Sequence, residues 1–142
     1  MKKLTIAEGK VFAVLSAVVC LCLLGLAGCA QQEDNVENTY QQISAQEAKS
    51  IMDTEKEYVI IDARTEEEFA EGHIKNAILI PEYEIAARAE KELPDKDALI
   101  LVYCRSGRRS KIASEELVKL GYTNVKEFGG IIDWPYETTT DD

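Results

Sequence analysis

The chain has 142 residues, 46% of them hydrophobic and 30% charged, with a formal net charge of −10. That length suits one compact domain and is short for two, and the mixed composition excludes a chain that is disordered throughout. The acidic balance argues against nucleic acid as a partner, because phosphate recognition needs a broad basic surface.

In chain order, residues 1–28 come first. Lys2, Lys3 and Lys10 precede an uncharged run, VFAVLSAVVCLCLLGLAG, which is the n-region and h-region pattern of an export signal. The run closes on Leu26-Ala27-Gly28-Cys29, which resembles the bacterial lipobox. That resemblance implies a diacylglycerol thioether on Cys29, which becomes the mature N-terminus. An uncleaved membrane helix is the competing reading, since 18 apolar residues are near the lower limit for a span. Both readings place the rest of the chain outside the cytoplasm, anchored to a membrane of the cell envelope. Cleavage removes Cys20 and Cys22, and lipid caps Cys29, so Cys104 is left as the one free thiol and no disulfide forms within the domain. Cleavage also removes three Lys and one Glu, leaving 13 basic against 25 acidic side chains, a net charge of −12.

Residues 29–42, the lipidated cysteine followed by AQQEDNVENTYQQ, read as a polar, flexible tether spanning on the order of 20 Å. The domain is expected over residues 43–136, where strand-like and helix-like patches alternate. A short strand is expected around Ile43. Ser44 to Glu47 forms a capping box for a helix that buries Ala48, Ile51 and Met52. YVIID (58–62) is a short β-branched run, read as a buried parallel strand. Thr65 caps EEEFAEG, which Gly72 stops. AILI (77–80) is a strand closed by Pro81, and YEIAARAEKEL (83–93) is helical. ALILVY (98–103) is the most continuous strand. Ser110 to Leu120 is an amphipathic helix with Ile112, Ala113, Leu117 and Leu120 on one face and Gly121 after it. VKEF (125–128) is the last strand, and the acidic tail 137–142 is expected to be disordered. Five strands separated by helices predict an α/β domain with a mainly parallel sheet flanked by helices. In such folds the working site lies at the carboxyl ends of the strands.

Cys104 follows the most continuous strand at that edge, and Arg105, Arg108, Arg109 and Lys111 come soon after it. A loop entering a helix N-terminus aims successive N–H groups inward, and Gly107 is free to take φ > 0. Dipole and guanidinium groups both favour thiolate, which predicts a nucleophile whose pKa lies below the free thiol value. An inert, buried cysteine is the alternative, and the surrounding cations count against it.

CRSGRRS resembles the active-site loop of single-domain rhodaneses, thiosulfate sulfurtransferases with the pattern Cys-x-x-Gly-x-Arg followed by Ser. DARTEEEFAEGHIKNAILIP (62–81) and GYTNVKEFGGIIDWP (121–135) are similar to the blocks that flank this loop in the family, and they stand in the same order. Asn76 replaces the usual Gly and tolerates the same left-handed conformation. The resemblance implies sulfur transfer from an anionic donor such as thiosulfate to a thiol or cyanide through a persulfide on Cys104. It implies that backbone N–H groups of Arg105, Ser106, Gly107, Arg108 and Arg109 hold the charge, while the arginines steer the donor. It implies no metal or organic cofactor, and the chain reads as a monomer. Asp62 and Arg64 are expected to tie loops together as an ion pair, and His73 to be structural rather than a general base. One histidine and one free cysteine make a metal site improbable. Glu66, Glu67 and Glu68 suit the dipole of a first helical turn, and Trp134 and Tyr136 cover core or pocket rim. Two other functions compete. Phosphatase or arsenate reductase loops place arginine six residues after the cysteine, where this chain has Ser110, with Arg109 one residue nearer. A persulfide carrier serving a protein partner is the other.

Overall fold

A computed structural model describes residues 39–141, so the expected signal segment and Cys29 lie outside the described residues. The sheet has five parallel strands in the order β1-β5-β4-β2-β3. These are β1 (Gln41–Gln42), β2 (Val59–Asp62), β3 (Ala77–Leu79), β4 (Ile100–Cys104) and β5 (Val125–Gly130). Four α-helices connect and cover them: α1 (Ala45–Thr54), α2 (Glu66–Glu71), α3 (Ile85–Glu92) and α4 (Arg108–Lys119). Single 3-10 turns run over Glu82–Glu84 and Ile131–Asp133.

Side-chain alternation along the strands builds two cores. On one face Ile61, Ile100, Val102, Cys104 and Val125 pack with Ile85, Ala89, Ala113 and Leu117 of α3 and α4. On the other, Ile60, Leu101, Tyr103 and Phe128 pack with Ala48 of α1 and, at the edge, Ile51, Met52 and Trp134. All five residues of β4 are buried, as expected of a strand covered on both faces. The expected capping box of Ser44 with Glu47 is formed, and Thr65 caps α2 as expected, with Glu68 completing a second capping box there. Asn76 adopts φ 66° and Gly121 φ 92°, the left-handed positions expected of them.

The short strand expected around Ile43 is β1, whose Gln41 and Gln42 pair with Lys126 and Glu127 as an edge strand. Three expectations need correction. α4 starts at Arg108 rather than Ser110, because left-handed Gly107 (φ 95°) turns the chain into the helix early. Ile112 is 41% exposed and does not join Ala113 and Leu117 in the core, since a neighbour of Ala113 lies about 100° around the helix from it. The acidic tail is not free. Thr139 exchanges two backbone hydrogen bonds of 2.8 Å with His73, and this pairing outweighs the tail's polarity.

Candidate active site

β4 delivers Cys104 to the carboxyl edge of the sheet, 1% exposed and pointing toward the face that α4 covers. Arg105 to Gly107 then form a three-residue turn, and α4 begins with Gly107 as its N-cap. No side chain caps this helix end. The sulfur occupies that place instead, with the Gly107 N–H donating to Cys104 Sγ at 3.1 Å. Burial alone pushes the Cys104 pKa up. Hydrogen bonds from the Ser110 hydroxyl and from the N–H groups of Ser110, Ser106 and Gly107 outweigh it, so the thiol lies below its ordinary value.

β5 shapes the floor of this turn. Its register against β4 slips between Val102, which faces Glu127, and Cys104, which faces Gly130, so β5 carries one extra residue. This bulge brings Gly130 directly beneath the Arg105–Ser106 backbone, where a Cβ would overlap the Arg105 carbonyl. Ile132 N–H closes the same contact by donating to Arg105 O at 3.2 Å.

The cations named by the sequence do not act together. Arg105 and Arg108 are exposed, and their side chains have no hydrogen-bond or ion-pair partner among the described residues. Arg109 is committed to Glu68 of α2 through two hydrogen bonds of 2.7 Å each. The Arg109 guanidinium holds the Glu68 carboxyl down at about 2. Glu68 therefore does more than complement the helix dipole: it neutralises and fixes an arginine expected to steer substrate. Ser106 is exposed and Gly107 buried.

Asp62, Arg64 and His73 gather on the opposite face from Cys104. Asp62 Oδ1 accepts from Arg64 N and Nε, and Oδ2 from Arg64 at 2.6 Å and from the Tyr103 hydroxyl at 2.6 Å. Arg64 also donates to Gly72 O, and Ile74 N–H donates to the Tyr103 oxygen. Burial and the Asp62 carboxylate raise the Tyr103 pKa well above its ordinary range. His73 is buried, stacks on Phe69 at 3.7 Å between centroids and places Nδ1 3.0 Å from Phe69 O. Among the described residues no cluster of three His, Cys, Asp or Glu side chains is placed to hold a metal ion. Trp134 packs on Phe128 and Tyr136 on Trp134, at the rim of an open groove of about 690 Å³ beside α1.

Reading the sequence alone missed three residues of this site. Glu68 bore a signal as the third residue of a capping box, but its partner lies 41 positions away. Gly130 was visible as a repeated glycine. Glu127, 3% exposed, gave no signal, because a charged residue in a strand usually faces water.

The rhodanese-like domain family model matches residues 44–135. The chain belongs to the rhodanese family. It is 41% identical over 73 residues to the thiosulfate sulfurtransferase PspE of Escherichia coli, covering 51% of this chain and 70% of that protein. It is 33% identical over 104 residues to the thiosulfate sulfurtransferase GlpE of Coxiella burnetii, covering 72% and 94%. A solved E. coli structure described as a rhodanese with anions superposes with a TM-score of 0.56 at 36% identity, covering 59% of this chain and 99% of that one. This rhodanese is accordingly a sulfurtransferase enzyme, and the three sequence blocks that resembled the family fall within the matched span.

Proposed function

We infer that this rhodanese moves sulfane sulfur from an anionic donor such as thiosulfate to a thiol or cyanide through a persulfide on Cys104. The observation that carries this is the cap of α4: the sulfur of Cys104 sits where a capping oxygen normally sits, facing converging N–H donors. The Cys104 thiolate attacks the outer sulfur of thiosulfate. The S–S bond of the donor breaks, and its electron pair leaves with sulfite. The negative charge of the persulfide then rests on the N–H groups of Ser106, Gly107 and Ser110. An acceptor thiolate or cyanide takes the terminal sulfur, and the Cys104–S bond electrons return to Cys104. Arg105 and Arg108, unpaired and exposed, draw the dianionic donor toward an otherwise acidic protein. Arg109, paired with Glu68, stays partly buried near the sulfur and is not free to reach for the donor. Asp62, Arg64 and His73 support the loops and take no part in the chemistry. The names of the relatives support the donor class. The lipobox-like end of residues 1–28 supports a place outside the cytoplasm, anchored through lipid on Cys29, and one chain supplies every group named.

The test is thiocyanate production from thiosulfate and cyanide by the full chain, with mass analysis of the Cys104 peptide. The expected result is turnover and a gain of one sulfur atom on that peptide, both absent in Cys104→Ser. Hydrolysis of an aryl phosphate without any thiosulfate turnover would overturn the reading. Intact-mass analysis of the mature N-terminus checks the anchor, which an unprocessed, unacylated chain would exclude.

A further inference from the structure

Beneath the sulfur lies a carboxyl group that the reaction as described does not use. Val125 and Glu127 point to the same face of β5 as Cys104 does from β4, and Glu127 is buried there at 3% exposure. Its Oε1 accepts from the Ser110 hydroxyl at 2.6 Å and from the Gly129 N–H at 2.8 Å. The Ser110 oxygen is also 3.1 Å from Gly107 O, inside the first turn of α4. The same hydroxyl is among the groups that favour negative charge on Cys104. The Ser110 hydroxyl is 3.4 Å from Gly129 O as well, and of its neighbouring oxygens Glu127 is nearest; one hydroxyl carries one proton, so while it is given to Glu127 it is withheld from the sulfur.

We propose that Glu127 is a positioning residue for sulfur transfer, holding the Ser110 hydroxyl while Cys104 is uncharged and yielding it when the sulfur is anionic. The change is a rotation about the Ser110 Cβ–Oγ bond, and no proton leaves its oxygen. The β5 bulge makes the arrangement possible, because Gly129, at φ 89°, folds its N–H back onto the carboxyl two residues before it. Competition from Glu127 for the one Ser110 donor leaves the persulfide less than fully stabilised, which favours passing its sulfur on rather than storing it. This consequence rests on the persulfide reading above, whereas the effect on Cys104 acidity does not.

The other charge acting on Cys104 is Arg109 of α4, itself bound to Glu68 of α2 and influenced by Glu82 in the turn before α3. The sheet neighbours of Glu127 are Gln42 on β1 and Val102 on β4, neither of which titrates. A pH midpoint for Cys104 that moves with Glu127 therefore has two routes, the Ser110 link and the charge of Glu127 itself, and removing the Ser110 hydroxyl separates them.

The experiment is the pH dependence of Cys104 alkylation by iodoacetamide in the resting full chain, read on the Cys104 peptide. Glu127→Gln keeps an acceptor for Gly129 but competes more weakly for the hydroxyl. It is expected to lower the midpoint by about one pH unit, the scale of one hydrogen bond to a charged group. In a Ser110→Ala background the same change is expected to move the midpoint by less than half as much; Ser110→Gly replaces Ser110→Ala if the latter does not fold. Absence of a fall in Glu127→Gln overturns the proposal. A fall that keeps half or more of its size without the hydroxyl also overturns it, since Glu127 would then act directly through its charge. Donor is absent from this measurement, so a failed sulfur-transfer assay with the shift intact would count against the function alone.

Discussion

The two faces of the sheet carry buried polar clusters of opposite character at the same edge. On the α1 face, Asp62, Arg64 and Tyr103 form a knot in which both carboxylate oxygens are engaged and the ends of β2 and β4 are tied to the Gly72–Ile74 segment. On the α4 face, Cys104, Ser110 and Glu127 share fewer donors than acceptors. The sheet register sets the two side by side, because Asp62 is paired with Tyr103 while the next residue of β4, Cys104, points the other way. A saturated network has one low-energy arrangement and holds loops in place. An under-supplied one changes its bonding when charge appears on sulfur, which is what a group-transfer site requires.

Breaking the saturated side has the larger effect on stability. Asp62→Ala strands the Arg64 guanidinium, the Tyr103 hydroxyl and the Arg64 N–H in the interior, and is expected to cost about 3–5 kcal/mol in urea unfolding. Thiosulfate turnover per folded molecule should persist, because no atom of the knot reaches the sulfur. A variant that unfolds normally but is inactive would reverse the assignment of the two faces. Gly130→Ala acts on the other side. A methyl group beneath Arg105 has no room, so the sulfur loop must shift, and persulfide formation is expected to slow by roughly 10²-fold. Comparison of single-turnover rates with thermal unfolding separates this loss from destabilisation. The mildest change is Glu68→Gln. The Glu68 pKa is lowered from 4.5 to about 2, so its contribution is fully present above pH 4.5 and disappears as pH falls toward 2. The variant should lose stability at neutral pH by about 1 kcal/mol and show a flatter acid limb over that window. An unchanged acid limb in denaturant titrations would show that the Arg109 pair contributes nothing to the fold.

Wherever the relevant signal was local, the elements could be read from the residues. The Ser44–Glu47 capping box and the Thr65 cap were legible because a side chain at a helix start meets the backbone three residues on, and both formed. Asn76 takes the positive φ that its short polar side chain tolerates, and Gly107 the one that the lack of a Cβ permits. β4 and Cys104 were legible from one unbroken β-branched and apolar run ahead of a cationic loop. The edge strand was expected around Ile43, but its place at Gln41–Gln42 was not legible, because two exposed glutamines form a strand only where β5 offers its edge. Nor was the ordered tail, whose pairing with His73 spans 66 positions.

By itself the sequence determined the family, the parallel α/β order and the place of Cys104 at the head of the cationic loop, because local caps, alternation and a contiguous motif carry that information. Tertiary structure alone decided how the charges are distributed around the thiol. It joined Arg109 to Glu68, opened space for the loop over Gly130 and placed Glu127 under Ser110. Each of these depends on sheet register and helix packing, which join residues 17 to 41 positions apart and leave no pattern along the chain.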